Sequence, residues 1–442
     1  MTSSAPPRSL DTRAIWAIAL PAMVTNVATA LIGIGDMWIV GRLEDAPTQG
    51  AVDIGARLFA VLFTVMNFLK TGTTGLVAQA GVRQGEAEQV TVLLRGLLVG
   101  LVIAALLLVA KPVLLPLLLD LLGAENRVLA NARIYTDIRY WSAPAVMANF
   151  AAIGFLVGQR RMKTVLAIEV AYNLINVALG LFFVLGLEWG IAGIGWSSFI
   201  AEFAKLAAIA ALLFAGREGG ELLRRVRAGG VARWSALRPF LSVNRDLFLR
   251  TVVLTIALAG LTRLSAERGP VVLAANGIIY QLFVFTALLL DGFENAAQVL
   301  NGERRGADDR SGFSAYIRAI LLRSMAAAAV VAGAFALFAD PILASFAATP
   351  DVAEVAQSLA IWLVIIPFAG AAGFVLDGVF VGASWTKALL VTMIGATVIY
   401  VAALWLSWPL GSQGLWLSFA LFLIARAGFQ LAMLPRLLRR DF

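Results

Sequence analysis

The sequence predicts an all-α integral membrane protein with twelve transmembrane helices in two six-helix bundles related by a pseudo-two-fold axis. Three observations carry this expectation. Sixty per cent of the 442 residues are hydrophobic and only 14% are charged, with a mean hydropathy of +0.87, which excludes a soluble enzyme. Apolar runs long enough to cross a bilayer alternate with short charged segments. Motifs of the first half also recur in the second in the same order.

The runs are bounded by charge or by Gly/Pro clusters, and start near residues 14, 50, 91, 128, 164, 190, 240, 270, 313, 352, 387 and 412. The first lies between Arg13 and Arg42 and is much longer than a signal-peptide core of about 7–15 residues, so it reads as a retained span. Six runs precede GREGGELLRRVRAGGVARWSALRP, residues 216–239, which reads as a cytoplasmic linker between an N-terminal lobe, 1–215, and a C-terminal lobe, 240–442. Assigning loops alternately to two sides gathers Arg8, Arg13, Arg83, Arg160, Arg161, Lys163, the linker arginines, Arg304, Arg305, Arg310, Lys387, Arg436, Arg439 and Arg440 on one side. Arg42, Arg127 and Arg268 fall on the other. By the positive-inside rule the crowded side is cytoplasmic and holds both termini of a multi-pass protein of the cell inner (plasma) membrane. The net charge of +8 therefore orients the chain in a bilayer and implies no nucleic-acid partner.

The repeat is specific. GVRQG at 81–85 recurs as GERRG at 302–306, each after an Ala-Gln pair (Ala78-Gln79, Ala297-Gln298). GFLVGQRRMK at 154–163 recurs as GVFVGASWTK at 378–387, with Pro144 and Pro367 before the two copies. Six spans per half give both copies one orientation, related by an axis along the membrane normal, a design suited to alternating access. Neither glycine loop contains the phosphate-loop pattern GxxxxGK[ST], and their glycines are expected in tight turns.

With no cysteine and no histidine, proton handling must use carboxylates, and no cofactor or metal site is expected. GIGDMWIVGRL, 33–43, places Asp36 inside the first span, where a carboxylate costs about 2.5–3.5 kcal/mol on insertion scales and usually has a partner or a task. Lys70 and Asp291 occupy nearly equivalent positions in the second and eighth spans and form a possible gate across a central cleft. Phe59, Phe63, Phe283 and Phe285, on the same two spans, are candidates for an apolar cavity wall, with core packing the alternative. Glu202 precedes Lys205 by three residues, the spacing of a local pair. Glu169, Glu294 and Asp377 either line the cavity or cap cytoplasmic helix ends.

Pro21 and Asp36 in the first span, the following GRL, FLKTGTTGLVAQAG at 68–81, IRYWSAPA at 138–145, the GFLVG turn and NLIN at 173–176 resemble the multidrug and toxic compound extrusion (MATE) family, within it the DinF branch. The resemblance covers essentially the whole chain. It implies two six-helix lobes, expected monomeric, that export lipophilic, often cationic small molecules in exchange for protons or sodium. Asp36 matches the protonation site of the N-terminal lobe, and Pro21 the proline at which the first helix bends. The chain departs from the pattern at Gly180, where the family commonly carries a second aspartate four residues beyond the position of Asn176. A hard cation wants several oxygen ligands, so H+ is expected over Na+. Asn176, Asn173 and Ser198 are expected to hydrogen-bond Asp36.

Two other functions make different demands on the sequence. A lipid-linked saccharide flippase, which can share two six-helix bundles, would be expected to carry basic residues inside its cavity for a diphosphate head group, whereas the clearest cleft candidate here is acidic. An intramembrane transferase usually needs clustered carboxylates, and the adjacent acid pair Asp308-Asp309 lies in a short Arg-flanked loop.

Overall fold

The structure, a computed structural model, describes residues 10–41 and 45–442, and of these the side chains of all but 30–37, 40, 41 and 46. Among the described residues every regular element is helical. The first half contains α1 (Thr12–Gly41), α2 (Ala46–Met66), α3 (Phe68–Arg83), α4 (Glu86–Leu121), α5 (Asn126–Tyr140), α6 (Ala143–Gly158), α7 (Met162–Leu181) and α8 (Gly190–Ala215). Then follow α9 (Arg217–Ala228), α10 (Trp234–Ala266), α11 (Pro270–Gly306), α12 (Arg310–Phe346), α13 (Pro350–Ser358), α14 (Ala360–Gly382), α15 (Thr386–Ser407) and α16 (Gly411–Asp441). Among the described residues nine helical stretches are long and apolar enough to cross a membrane, or ten when α5 and α6, bent by 51° at their junction, count as one. That junction precedes Pro144, which sits in the first turn of α6 where its missing N–H leaves no intrahelical bond unmade.

The chain divides into two compact units, Val24–Asn244 and Met1–Met23 with Arg245–Phe442. These boundaries differ from those of the sequence halves. The first part of α1 belongs to the C-terminal unit: Trp16 meets the Phe293 ring edge to face at 5.5 Å, and Gly292 leaves room for the Ala19 carbonyl and Met23 on the facing turn. The 216–239 stretch is also mostly helical. In α9, Leu222 and Gly219 are buried, and Glu218 accepts from Arg161 at 2.9 Å, pinning the helix to the N-terminal unit.

Each unit carries one copy of the repeated glycine pair, used the same way. A Cβ on Gly154 would stand 2.5 Å from the Lys70 carbonyl oxygen, and one on Gly158 would stand 2.8 Å from that of Thr74, so α6 packs backbone to backbone on α3. In the C-terminal unit, Gly378 and Gly382 bring α14 equally close to the carbonyls of Glu294 and Gln298 on α11. Small residues permit this approach where lipid supplies no hydrophobic drive between helices. The repeated loops diverge. Gly85 turns the first with φ +81°, whereas α11 runs on through GERRG and the chain turns at Asp308, φ +55°.

Aromatic side chains fill both cores. Phe59, Tyr135 and Tyr140 are buried together in the N-terminal unit, as are Phe283, Trp416, Phe419 and Phe422 in the C-terminal one. Helix ends are capped locally: Asp45 accepts from the Thr48 amide and hydroxyl at the start of α2, and Thr349 does the same for the Val352 amide of α13. The Thr48 hydroxyl, and after it the Arg127 charge, hold the Asp45 carboxyl below its ordinary value.

Candidate functional site

The apolar helices α7 and α8 face one another across a polar seam. On α7, Glu169, Tyr172, Asn173 and Asn176 recur at the three- and four-residue spacing that keeps them on one face. Ser198, Glu202 and Lys205 repeat that spacing on α8. The tight turn after α7 makes the helices antiparallel, so each step back along α7 meets a step forward on α8. Asn176 Nδ2 donates to Ser198 Oγ at 3.3 Å, Tyr172 Oη donates to Glu202 Oε1 at 2.8 Å, and Lys205 Nζ donates to Glu169 Oε1 at 2.5 Å. From α6, Asn149 Nδ2 donates to Glu202 Oε2 at 2.9 Å and to the Glu202 carbonyl at 3.0 Å. Much of the seam is buried: Asn176, Ser198 and Asn149 are enclosed, Glu169 and Tyr172 are each 8% exposed, and Asn173, Glu202 and Lys205 are half-buried.

This arrangement brings together Asn176 and Ser198, two of the residues expected beside Asp36. The Oδ1 atoms of Asn176 and Asn173 are buried without a hydrogen-bond donor among the described residues. The Asp36 side chain lies outside the described residues; its backbone continues α1, which runs helical through Pro21. Three residues further on, Ile39 is fully buried and its Cδ1 stands 3.0 Å from where a Cβ of Gly180 would be, with Ser197 Oγ at 3.7 Å. The position of the family's second aspartate is thus covered by an isoleucine. The local Glu202–Lys205 pair does not form: Lys205 reaches across to Glu169, with its Nζ also 4.8 Å from the Tyr172 ring centre.

The possible gate residues lie in different units. Lys70 is half-buried on α3, and Asp291 on α11 accepts from Asn295 Nδ2 at 3.1 Å. Of the phenylalanines, Phe59 and Phe283 are core residues, Phe63 stacks on Phe59 with ring centres 5.3 Å apart, and Phe285 lies exposed in an apolar groove between α11 and α12 lined by Val330, Phe338 and Pro341.

The C-terminal unit holds a second polar cluster. Asp377 on α14 is fully buried and accepts from Arg426 Nε at 3.2 Å, Arg426 Nη2 at 2.5 Å and Gln430 Nε2 at 2.6 Å, all on α16, and from Arg250 of α10. Asp377 is therefore neither a helix cap nor a free acid. Arg250 and Arg426 are not among the residues that the sequence analysis singles out, although LFLIARAGFQ places Arg426 in mid-span, where an arginine needs a partner. They are basic groups of the kind a flippase reading calls for, but Asp377 already engages both. The Asp308-Asp309 pair of the transferase reading includes a residue with a structural task, because Asp309 caps α12 through the Gly312 amide at 2.8 Å and accepts from Arg304 Nη1 at 3.1 Å.

Comparison with known proteins agrees with the helices and their repeat. The MatE family model matches residues 21–182 and 248–406, one stretch in each half. DNA damage-inducible protein F of Escherichia coli (strain K12) is 31% identical over 429 residues, covering 96% of this chain and 92% of its own. A probable multidrug resistance protein NorM of Chromobacterium violaceum is 24% identical over 413 residues, covering 91% of this chain and 86% of its own. A crystal structure of a MATE protein in a bent conformation superposes with a TM-score of 0.87 at 16% identity, over 97% of this chain and 96% of that one, a likeness of fold.

Proposed function

Since the chain belongs to the multidrug and toxic compound extrusion family and is a multi-pass membrane transporter, we propose that it is a proton-coupled antiporter that exports lipophilic, often cationic compounds by alternating access. In this reading twelve spans form two six-helix lobes around a pseudo-two-fold axis, the protein works as a monomer in the plasma membrane, and both termini are cytoplasmic. Asp36 is the coupling acid. Its protonation removes a charge from the span and lets α1 pack more tightly by bending near Pro21, where the backbone lacks a donor. Pro21 lies beside the Met23–Val24 boundary at which α1 passes from one compact unit to the other, a reasonable place for a bend.

One observation carries the reading: the buried Asn176–Ser198 pair, with the Asn176 Oδ1 left without a donor among the described residues. In the proposed topology α1 and α7 run in the same direction. The Ile39–Gly180 contact supports a position 36, one turn earlier on α1, level with Asn176, one turn earlier on α7. A protonated acid there supplies the donor. With Ile39 over Gly180, that position supplies no second carboxylate of the kind a sodium ion would favour.

The test is dye export from proteoliposomes under an imposed pH gradient and, separately, a sodium gradient. Wild type is expected to respond to the pH gradient alone, and Asp36→Asn to lose that response. Export driven by sodium, or an undiminished Asp36→Asn, overturns the assignment. The same assay tests Lys70 and Asp291 as a gate on the cytoplasmic side. Lys70→Ala is expected to lower export and shift the conformer populations reported by a spectroscopic label. If neither changes, there is no gate.

A further inference from the structure

We propose that Glu202 is a second proton-binding group, one turn along the α7–α8 seam from the Asn176–Ser198 pair. The proposal rests on the proton-coupled reading above and extends it. In GIAGIGWSSFIAEFAKLAAIAALLFA, the sequence of α8, a carboxylate is costly unless something holds it or uses it. The obvious structural role was an ion pair with Lys205, and that lysine is engaged by Glu169. Among the described residues no cation stands within salt-bridge distance of Glu202. Its two carboxyl oxygens are held by neutral donors, the Tyr172 hydroxyl and the Asn149 amide.

Such a shell serves both protonation states. The ionised carboxylate accepts both hydrogen bonds. The protonated carboxyl has one O–H to place, and the same neighbours can take it: the tyrosine oxygen accepts as well as donates, and Asn149 carries a buried Oδ1 with no donor among the described residues. An arginine or lysine in contact would hold the group ionised. The fixed charges around it are set one shell out. Glu169 faces it from α7, Lys205 lies on its own helix, and Arg139 of α5 acts electrostatically on the Tyr172 hydroxyl. From α9, Glu218 is turned to Arg161.

Position gives the group its use. The seam runs from Asn176 and Ser198 through Tyr172 and Glu202 to Glu169 and Lys205, then to the start of α7 beside Arg160 and Arg161. In the proposed topology that end is cytoplasmic. A proton leaving the level of Asn176 then reaches Glu202 through the Tyr172 hydroxyl, which gives its own proton to the carboxylate as it receives another. Proton count and charge are conserved at each step. The next stop toward the cytoplasm is the Glu169–Lys205 pair.

The test reads protonation directly, by infrared pH titration of the purified protein, following the C=O band of protonated carboxyl groups. The expected result is a titrating component that disappears in Glu202→Gln and persists in Asp36→Asn. Tyr172→Phe is the second variant, kept in case Glu202→Gln does not fold. It removes one of the two donors and is expected to displace the midpoint of that component by about one pH unit, the scale of one hydrogen bond to an ionised group. A spectrum unchanged by Glu202→Gln, or a midpoint unmoved in Tyr172→Phe, overturns the proposal. Proteoliposome export run alongside separates the two readings. If the wild type shows no response to a pH gradient, the coupling proposal fails, while the infrared band still decides whether Glu202 binds a proton.

Discussion

Asp377→Ala is expected to destabilise the protein by about 3–5 kcal/mol, the scale measured when one partner of a buried ion pair is removed. Arg250 and Arg426 share Asp377 as an acceptor, and Arg426 is 3% exposed. Without the carboxylate, two guanidinium groups are left close together among apolar helices. Gln430 Nε2 loses its acceptor at the same time. Asp377→Asn keeps the shape and one carbonyl acceptor but not the charge, so it is expected to fall between Asp377→Ala and wild type. Replacing the set together, as Asp377→Leu with Arg250→Met and Arg426→Met, is expected to restore much of the loss, because a well-packed apolar group needs no counter-charge. Unfolding of the purified variants in detergent, by heat or by titrated denaturant, measures the series. An Asp377→Ala protein as stable as wild type would mean that Glu294 and Asp291, whose charges act on Arg250, suffice to compensate both arginines.

The cluster also marks how far the sequence could be read. Hydropathy and the repeated glycines made the helical architecture legible, and the Gly154–Gly158 and Gly378–Gly382 contacts show why the motif recurs: both copies seat one helix on another's carbonyls. Asn176 and Ser198, each expected beside Asp36, were legible as polar residues of the apolar spans, but their bond to one another was not. What sequence spacing could not give was the choice of partner between helices. Glu202 and Lys205 are correctly spaced for a local pair, yet a facing helix offers Glu169 to one and Tyr172 to the other. By sequence Asp377 could line a cavity or cap a helix end, but its partners come from Arg250, 127 residues earlier, and Arg426, 49 residues later. The 216–239 stretch was polar enough to read as a linker. Its buried Leu222 and the Arg161–Glu218 contact make part of it a docked amphipathic helix.

Gly378→Ala is the second large expectation, and it should couple to the first. The added methyl group would meet the Glu294 carbonyl, which is backbone and cannot turn aside, so α14 has to move away from α11. Overpacking of this kind costs about 1–3 kcal/mol even where side chains can adjust. At Gly333 and Gly428, where a Cβ meets nothing within 4 Å, the same substitution is expected to be neutral or stabilising, since alanine gains roughly 0.5–1 kcal/mol over glycine in a helix interior. The contrast separates steric contact from helix propensity. Moving α14 at residue 378 also moves Asp377 relative to Arg250 and Arg426, which sit on α10 and α16. The Gly378→Ala and Asp377→Ala losses should therefore fall short of adding, because the first already loosens the ion cluster that the second removes. Strictly additive losses in the double variant would mean that the helix yields at its α11 face without disturbing its charged one.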